Sequence, residues 1–203
     1  SIKEAKRLLI DQLSGTIQTI AKDVKIQIEF NPAVVDEYRL IGYENRALKR
    51  EDFNNDKKDA GEIGAGHTVT AIYEIALKGS KGLRVDPLRY GGGQSDGKPD
   101  PKATEFAFLR LRYKAPDGDV SKLIETPLSV AALRAPGEAP PDARFAAAVA
   151  AFGQKLRGGD YLGEFGFDQI AATARDARGG DEDGYRAEFI ELVEIAQALK
   201  PTP

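Results

Sequence analysis

The residues with the clearest potential for chemistry lie in the stretch EDFNNDKKDAGEIGAGHTVTAIYEI, residues 51–75. It holds the only histidine of the chain, His67, and it spaces Asp52, Asn54 and Asp56 two residues apart. Oxygen-bearing side chains at this spacing are typical of the first ligands in a calcium-binding loop. The sequence therefore raises the hypothesis of a cation site in this stretch.

The full EF-hand pattern also requires a glycine at its sixth position and a bidentate glutamate at its twelfth. Counted from Asp52, these positions are Lys57 and Ile63, so the turn residue and the decisive ligand are both missing. Lys57 and Lys58 also bring positive charge to the place where a cation would bind. A cation- or ligand-binding role of the acidic loop Asp52–Asp59 is kept as the alternative hypothesis.

The glycines that follow suggest a phosphate-binding loop. Gly61, Gly66, His67 and Thr68 match the pattern G-x-x-x-x-G-K-[ST] except at the lysine that reaches the phosphates. That motif follows a strand and opens a helix, whereas here a polar loop precedes Gly61 and a stretch of alternating polarity follows Thr68. We therefore interpret the glycines as a tight turn or bulge that leads the chain into the next strand.

Nucleophilic catalysis has few candidate groups in this sequence. A Ser-His-Asp system would have to use His67, cysteine is absent, and no Gly-x-Ser-x-Gly elbow occurs. A single histidine also cannot form the multi-histidine shell of catalytic zinc. We predict that His67 is a hydrogen-bonding residue at a strand entrance, and we expect no catalytic, metal-binding or cofactor-binding residue.

Acidic residues leave a third hypothesis open, because carboxylates that are distant in sequence can meet in space. The richest acidic segment precedes and enters the last predicted helix. Acids at a helix start favour the helix dipole, and acids further along are expected on a solvated face. An enzyme with spatially assembled acids therefore ranks behind the other hypotheses. The acids concerned are Asp181, Glu182, Asp183, Glu188, Glu191 and Glu194.

Composition narrows the class of protein. The chain has 203 residues, enough for one large domain or two small ones. With 29 basic and 32 acidic residues its net charge is -3, so we expect no nucleic-acid partner. No apolar run reaches the length of a membrane span, and the opening residues are charged, unlike those of a signal peptide. We expect a soluble chain.

The first part of the chain, to about residue 133, has the alternating polarity of strands. In VKIQIEF, residues 24–30, apolar residues alternate with Lys25, Gln27 and Glu29, which predicts a half-buried strand with these three residues on the solvent face. Further strands are predicted in residues 37–45, 67–77 and 106–115. Because no helical crossovers separate them, an antiparallel sheet or sandwich is favoured.

From Pro140 onward the apolar period is that of a helix. In PPDARFAAAVAAFGQKLRGG, Asp142 is placed to cap the first helix. Its predicted apolar face comprises Phe145, Val149, Phe152 and Leu156. GFDQIAATARDARGG and DEDGYRAEFIELVEIAQALK predict two more helices. The face predicted for the last of them comprises Tyr185, Phe189, Leu192, Val193 and Ala196.

The tetrapeptide Arg-Gly-Gly-Asp occurs twice, at residues 157–160 and 178–181. We interpret it as helix punctuation rather than a recognition motif. Glycine supplies the left-handed residue that ends one helix, and aspartate caps the next.

Together these patterns predict an α+β fold, with a mainly antiparallel, β-sandwich-like part followed by two or three packed C-terminal helices. We place a short N-terminal helix in residues 1–15, a β-rich domain in residues 16–134 and a helical part packed on it in residues 140–200. The segment Asp86–Ala103, rich in glycine and proline, is predicted to be a mobile loop, and Ala135–Pro141 a stiff connector.

Several long phrases of the sequence resemble the C-terminal region of bacterial von Willebrand factor type A domain proteins. They are IAKDVKIQIEFNP, YRLIGYENR, EDFNNDKKDAGEIGAGHTVTAIYEI and GYRAEFIELVEIA. The resemblance spans nearly the whole chain, and the insertion Asp86–Ala103 carries no phrase of the family.

The resemblance implies a non-catalytic scaffold or protein-interaction module that follows an adhesion domain. In such proteins the adhesion domain carries an Asp-x-Ser-x-Ser motif that binds a divalent ion, and no such motif occurs in this chain. The implied partner is that upstream domain of the same chain, with residues 1–15 at the join, and another protein besides. The implied location is the bacterial cell envelope or periplasm. The family has no residue roles that could be carried over to this sequence.

Overall fold

The computed structural model describes residues 18–42, 49, 52–58, 60–85 and 104–199. In these ranges the chain forms six strands followed by three α-helices, and all strand pairs are antiparallel. The chain divides into two compact units, one ending at Ala132 and the other beginning at Leu133. The predicted α+β class is confirmed.

The first unit contains two sheets. One is four-stranded with the order β3-β1-β5-β6, and the other pairs β2 with β4. In the described ranges, β3 and β6 are therefore the edge strands of the larger sheet. The bounds are β1 (Thr19–Phe30), β2 (Val35–Ile41), β3 (Gly61–Gly64), β4 (Ile72–Leu77), β5 (Glu105–Lys114) and β6 (Ser121–Ser129).

The two sheets pack face to face around the end of β1. Phe30, Val35 and Ala107 are buried there, from β1, β2 and β5 respectively. The Phe30 ring centroid lies 4.5 Å from that of Tyr38 and 5.4 Å from that of Tyr73, both on the smaller sheet. The smaller sheet thus covers one end of one face of the larger sheet, as in a sandwich.

No strand or helix of the first unit, within the described ranges, covers the other end of the same face. Ile26, Leu111 and Ile124 lie side by side on three neighbouring strands, because Ile26 pairs with Leu111 and Leu111 pairs with Ile124. Ile26 is 51% exposed and Ile124 is 50% exposed. We call these three residues the apolar row.

Strand β1 contains a bulge near its middle. Its pairing with β5 shifts between Lys22 and Lys25, and Asp23 has a φ of 52°, in the left-handed region. Asp23 lies at the bulge and Lys25 directly after it, and they are 7% and 2% exposed. Lys25 keeps the register of Gln27 and Glu29, so it shares their face of the sheet, but its Nζ is covered there by residues 52–58 and donates to Asn55 O. The predicted grouping of Lys25 with Gln27 and Glu29 on one face is confirmed, and the prediction that Lys25 is exposed to solvent was wrong.

Other strand limits also differ from the prediction. The strand predicted from His67 begins only at Ile72. Gly61–Gly64, interpreted from the sequence as a turn or bulge, is itself a short strand, and the turn follows at Gly66, whose φ is 77°. Strand β6 was not singled out in the sequence. The predicted N-terminal helix in residues 1–15 and the predicted loop Asp86–Ala103 lie outside the described residues.

The second unit consists of α1 (Pro141–Leu156), α2 (Phe167–Asp176) and α3 (Tyr185–Ala198). Helix α2 packs against both α1 and α3, and its Ile170 and Ala174 are 0% exposed. The Phe152 ring packs on Phe167 and on Phe189, with centroids 6.1 Å and 5.5 Å away. None of the described helices is both long enough and apolar enough to cross a membrane.

The apolar faces predicted for these helices were partly wrong. Val149 and Leu156 of α1 are 42% and 61% exposed, and Leu192 of α3 is 52% exposed. Helix α1 instead buries Ala148 and Ala151. Small alanine side chains let the helices approach closely, so the buried stripe is rotated away from the larger aliphatic residues.

The helix ends confirm part of the prediction for the two Arg-Gly-Gly-Asp segments. Gly159 after α1 and Gly179 after α2 have φ of 77° and 65°, as predicted for glycines that end helices. The N-cap residue of α3 is Gly184, but the Asp181 carboxylate accepts hydrogen bonds from the backbone N–H of Arg186 at 2.9 Å and of Ala187 at 2.8 Å, so the Asp181 side chain caps the first turn of α3. Burial opposes ionisation of Asp181, but these bonds outweigh it and lower its pKa.

The other two predicted caps were wrong. Helix α2 begins at Phe167 with Gly166 as its N-cap, too far along the chain from Asp160. Helix α1 has Pro140 as its N-cap, and Asp142 lies in its first turn. The Asp142 carboxylate instead accepts a hydrogen bond from Arg186 Nη2 at 2.6 Å.

Candidate functional site

The acidic loop predicted as a candidate site lies against the larger sheet. Residues 52–58, which we call the docked loop, fold into successive turns, with Asn55 N donating to Asp52 O at 3.2 Å and Lys58 N to Asn55 O at 3.1 Å. The Phe53 ring is only 4% exposed and anchors the loop. Asp59 lies outside the described residues.

Arg112 of β5 binds the docked loop from the sheet. Its Nη2 lies 2.9 Å from Asp56 Oδ1, and its Nη1 donates to Asn54 Oδ1 at 3.1 Å. Ser121 Oγ, at the start of β6, donates to the same Asp56 oxygen at 2.6 Å. The Ser121 hydrogen bond and the Arg112 charge lower the pKa of Asp56, against a smaller opposing effect of desolvation. Two oxygens of the proposed cation loop are therefore already bound by protein donors.

A second set of contacts lies at the bulge of β1. Lys25 Nζ donates to Asn55 O at 2.7 Å and to Asp23 Oδ2 at 3.3 Å. Lys114 Nζ lies 3.0 Å from the same Asp23 oxygen and donates to Asp56 O at 2.9 Å. Each lysine thus joins the strand bulge to the docked loop. We call Asp23, Lys25 and Lys114 the buried cluster.

The electrostatics of the buried cluster favour a charged Asp23. Burial by itself would raise the pKa of this carboxyl, but hydrogen bonds from Lys114 and Lys25 outweigh it and lower the pKa. Oδ1 of Asp23 has no hydrogen-bond partner among the described residues, although Lys25 Nζ lies 3.2 Å away. The left-handed φ of Asp23 is the local strain that this pairing holds in place.

The charged side chains of the buried cluster and the docked loop bind one another. A general base needs a free lone pair near a reacting group, and a nucleophile needs a base within hydrogen-bond reach. Here the carboxylates of Asp23 and Asp56 both accept from cationic side chains, and the lysines and Arg112 are turned to loop oxygens. The arrangement fastens the docked loop to the bulge of β1.

The phosphate-loop pattern and the histidine are placed elsewhere. Gly61 and Gly64 belong to β3, which pairs with β1 in the register Val24↔Gly61 and Thr19↔Gly64. Their amides therefore lie along a strand and do not converge on an anion. His67 is exposed beyond β3, and its backbone N–H donates to Gly64 O at 3.1 Å. Within the described ranges, no group of three or more His, Asp or Glu is arranged to hold a metal ion.

The acids of the last helix have structural partners as well. Glu194 pairs with Arg175 of α2, and Asp181 caps α3. A shallow groove of about 380 Å³ lies beside this cap and is lined by Asp142, Arg186 and the segment between α2 and α3. The Arg186 guanidinium lies 4.7 Å from the Phe145 ring centroid and donates to Ala177 O and Arg178 O, both at 3.2 Å. It joins the three helices at one end.

Sequence reasoning missed the buried cluster entirely. A signal was present in IAKDVKIQIEF, where Asp23 breaks the alternation that the following residues keep. Charges of both signs inside one strand, with Arg112 and Lys114 alternating on another, are compatible with a bulge and a cross-strand ion pair. The sequence could not show that residues 52–58 would supply the acceptors.

The family match and the curated relative of this chain both belong to one protein family. Residues 15–199 match a family model described as "Uncharacterized protein YfbK, C-terminal". A curated relative, "Uncharacterized protein YfbK" of Escherichia coli (strain K12), is 49% identical over 199 residues. The alignment covers 98% of this chain but 34% of that relative, so the chain spans about a third of its length. No solved structure matches the chain.

Proposed function

Since this chain belongs to the family of the C-terminal region of the uncharacterized protein YfbK, we propose that it is a non-catalytic scaffold and protein-interaction module. The observation that carries the proposal is the apolar row. Ile26 and Ile124 are each about half exposed on a sheet face whose other end is covered. Contiguous apolar surface left open on a folded unit is typical of a docking site for another protein.

The docked loop supports the non-catalytic part of the proposal. Its oxygens are used by Arg112, Lys25 and Lys114, and the result is a rigid polar side of the sheet opposite the apolar row. A surface built on a fixed sheet loses little conformational entropy when a partner binds. The loop therefore acts as a support for the face that binds.

We propose a von Willebrand factor type A domain of the same parent protein as the partner. The support is the resemblance of the long sequence phrases to the region that follows such domains. The relative is also much longer than this chain, because the alignment covers 34% of it. The proposal includes the cell-envelope location that the resemblance implies, and a role in transmitting the ion-dependent state of the adhesion domain.

The test is an isothermal titration of the 203-residue chain with the preceding part of its parent protein, first with magnesium and then with a chelator. We expect binding that Ile26→Asp weakens at least tenfold, since a buried unpaired carboxylate is costly. Leu156→Asp is the matched control, because Leu156 is 61% exposed and belongs to the other unit. Binding that both variants leave unchanged would exclude the apolar row, and no binding would exclude this partner.

A change in the affinity for this chain on chelation would measure the coupling between the ion site of the adhesion domain and the apolar row. The ion can shift a conformational equilibrium only by the difference between its affinities for the two conformations. Turnover in a screen of ester, glycoside and peptide substrates, abolished by a carboxylate substitution, would overturn the non-catalytic assignment.

A further inference from the structure

Strand β6 ends the larger sheet in the described part of the chain, and it exposes one large apolar side chain on each of its two faces, among polar neighbours. The sheet order β3-β1-β5-β6 gives β6 one neighbour there. Leu123 and Ile124 are each 50% exposed, although they project to opposite faces. An edge strand of this kind offers a row of backbone groups to another strand.

The ladder of β5 shows which backbone groups of β6 point outward. Asn31 N donates to Phe106 O at 2.9 Å, next to the pair Phe30↔Ala107. In an antiparallel ladder bonded residues alternate, so the even-numbered residues of β5 bond to β1 and the odd-numbered ones to β6. Leu111, which pairs with Ile124, therefore bonds to β6.

The outward-pointing residues of β6 follow from this alternation. Ser121, Leu123 and Glu125 direct their N–H and C=O groups away from β5, since their neighbours in the strand bond to it. Pro127 is also an odd-numbered residue of β6, so its backbone nitrogen faces away from β5 as well. Proline in a sheet is found at such positions, because it has no N–H to donate. Pro127 would end any added pairing, which leaves the segment before it available.

We propose that β6 pairs antiparallel with β6 of a second copy of this chain, with Ile124 opposite its own counterpart on the two-fold axis. Symmetry requires such an interface to be self-complementary. The pairing makes one continuous sheet through both copies. The apolar row, Ile26, Leu111 and Ile124, then continues directly into the same row of the copy.

The register follows from the charges of the strand. A shift by one pairing step would place Ile124 opposite Lys122 and bring the two copies of Lys122 to adjacent diagonal positions. In the proposed register Glu125 takes that diagonal position, but its charge is balanced by Arg110 Nε at 3.1 Å. Like charges near each other across strands are destabilising, so the pairing centred on Ile124 is favoured.

The chain contains no cysteine, so a single introduced cysteine is its only thiol. In the proposed register Ile124 lies in a non-hydrogen-bonded pair, whose Cα atoms are about 4.5 Å apart and within disulfide range. Leu123 lies about 7–8 Å from its counterpart, beyond that range. We expect Ile124→Cys to form a disulfide-linked dimer under mild oxidation, and Leu123→Cys to form much less.

Val120→Cys is the control for random collision, because Val120 is 81% exposed and precedes the strand. A dimer of Ile124→Cys no more abundant than that of Val120→Cys would overturn the proposal. More dimer from Leu123→Cys than from Ile124→Cys would overturn the register.

Sedimentation of the unmodified 203-residue chain supplies the second measurement. We expect reversible dimers in the micromolar range or weaker, because one added strand makes a small interface. Leu123→Pro removes an N–H that faces away from β5, so this variant should be monomeric. It should also stay folded, because β6 already contains Pro127 at an equivalent outward-facing position. An unmodified chain that is monomeric up to millimolar concentration would overturn the proposal. Because the readout is self-association, its failure leaves the proposed docking of the adhesion domain untouched.

Discussion

In the helical unit the buried side chains are alanine, isoleucine and valine, whereas the strand-rich unit buries Asp23 and Lys25 beside its apolar residues. The described core of the helical unit is a continuous cluster across α1, α2 and α3. In the strand-rich unit the apolar core lies at one end of the sheet, around Phe30, and the bulge lies at the other. Apolar packing and charge pairing respond differently to mutation and pH, so the two units should be separable by experiment.

The largest expected effect is the loss of the carboxylate at the centre of the buried cluster. Asp23→Ala leaves Lys25 and Lys114 without their shared counterion, and breaking a buried pair costs about 3–5 kcal/mol. We expect the strand-rich unit to unfold at lower urea while the helical unit keeps its midpoint. Amide NMR signals assigned to each unit would follow the two transitions.

Asp142→Ala is the control for this prediction, because Asp142 is 84% exposed and its pair with Arg186 should contribute about 1 kcal/mol or less. An Asp23→Ala chain with an unchanged strand-rich transition would show that the buried cluster is not needed for stability.

The converse change removes apolar packing from the helical unit. Ile170→Ala opens a cavity at a side chain that is 0% exposed, and such truncations cost about 2–5 kcal/mol. The strand-rich transition should not move. Leu192→Ala is the matched truncation, since Leu192 is 52% exposed and should cost about 1 kcal/mol or less. Equal losses for the two variants would contradict the buried position of Ile170.

Lowering the pH should also destabilise the strand-rich unit more than the helical unit, by a smaller amount than the Asp23 substitution. The pKa of Asp23 and of Asp56 is lowered from the ordinary value of 3.8, so their pairing stabilises the folded state above that pH. This contribution is lost as the pH falls through the folded-state pKa values. Asp181 has a lowered pKa in the helical unit, so that unit should lose part of its helix cap.

Urea titrations at pH 7, 5 and 3 would measure this difference. We expect the strand-rich midpoint to fall more than the helical midpoint between the last two. Asp56→Asn should make the urea midpoint of the strand-rich unit less dependent on pH. A pH dependence equal to that of the unsubstituted chain would assign the acid sensitivity to other groups.

The elements that the sequence predicts well are those whose pattern is local. The alternation of residues 24–30 and the helical period after Pro140 predict β1 and the three helices, because side-chain periodicity follows directly from backbone geometry. The rotated face of α1 was not predictable from hydrophobicity, because alanine at Ala148 and Ala151 marks close approach rather than burial of large groups. Strand β6, with Lys122, Glu125 and Pro127, lacks a clean period because it lies at an edge.

The candidate site was harder to predict, because its residues come from four separate segments. The sequence drew attention to Asp52, Asn54 and Asp56 as oxygen ligands, and two of these oxygens do take part in the network. Their partner is Arg112, more than fifty residues away, and only folding brings it there. Residue types alone cannot distinguish a loop that binds a cation from one that binds an arginine.

The smallest expected effect decides between these two interpretations of the docked loop. Arg112 and Ser121 already bind Asp56 Oδ1, so a calcium ion would have to displace the Arg112 guanidinium, which already neutralises this carboxylate. We expect no rise in melting temperature at millimolar calcium. A specific site at ~100 times its dissociation constant would add about 2.7 kcal/mol, which calorimetry detects easily. A rise that Asp56→Ala abolishes, and that magnesium at the same ionic strength does not reproduce, would mean that the loop leaves Arg112 for a cation.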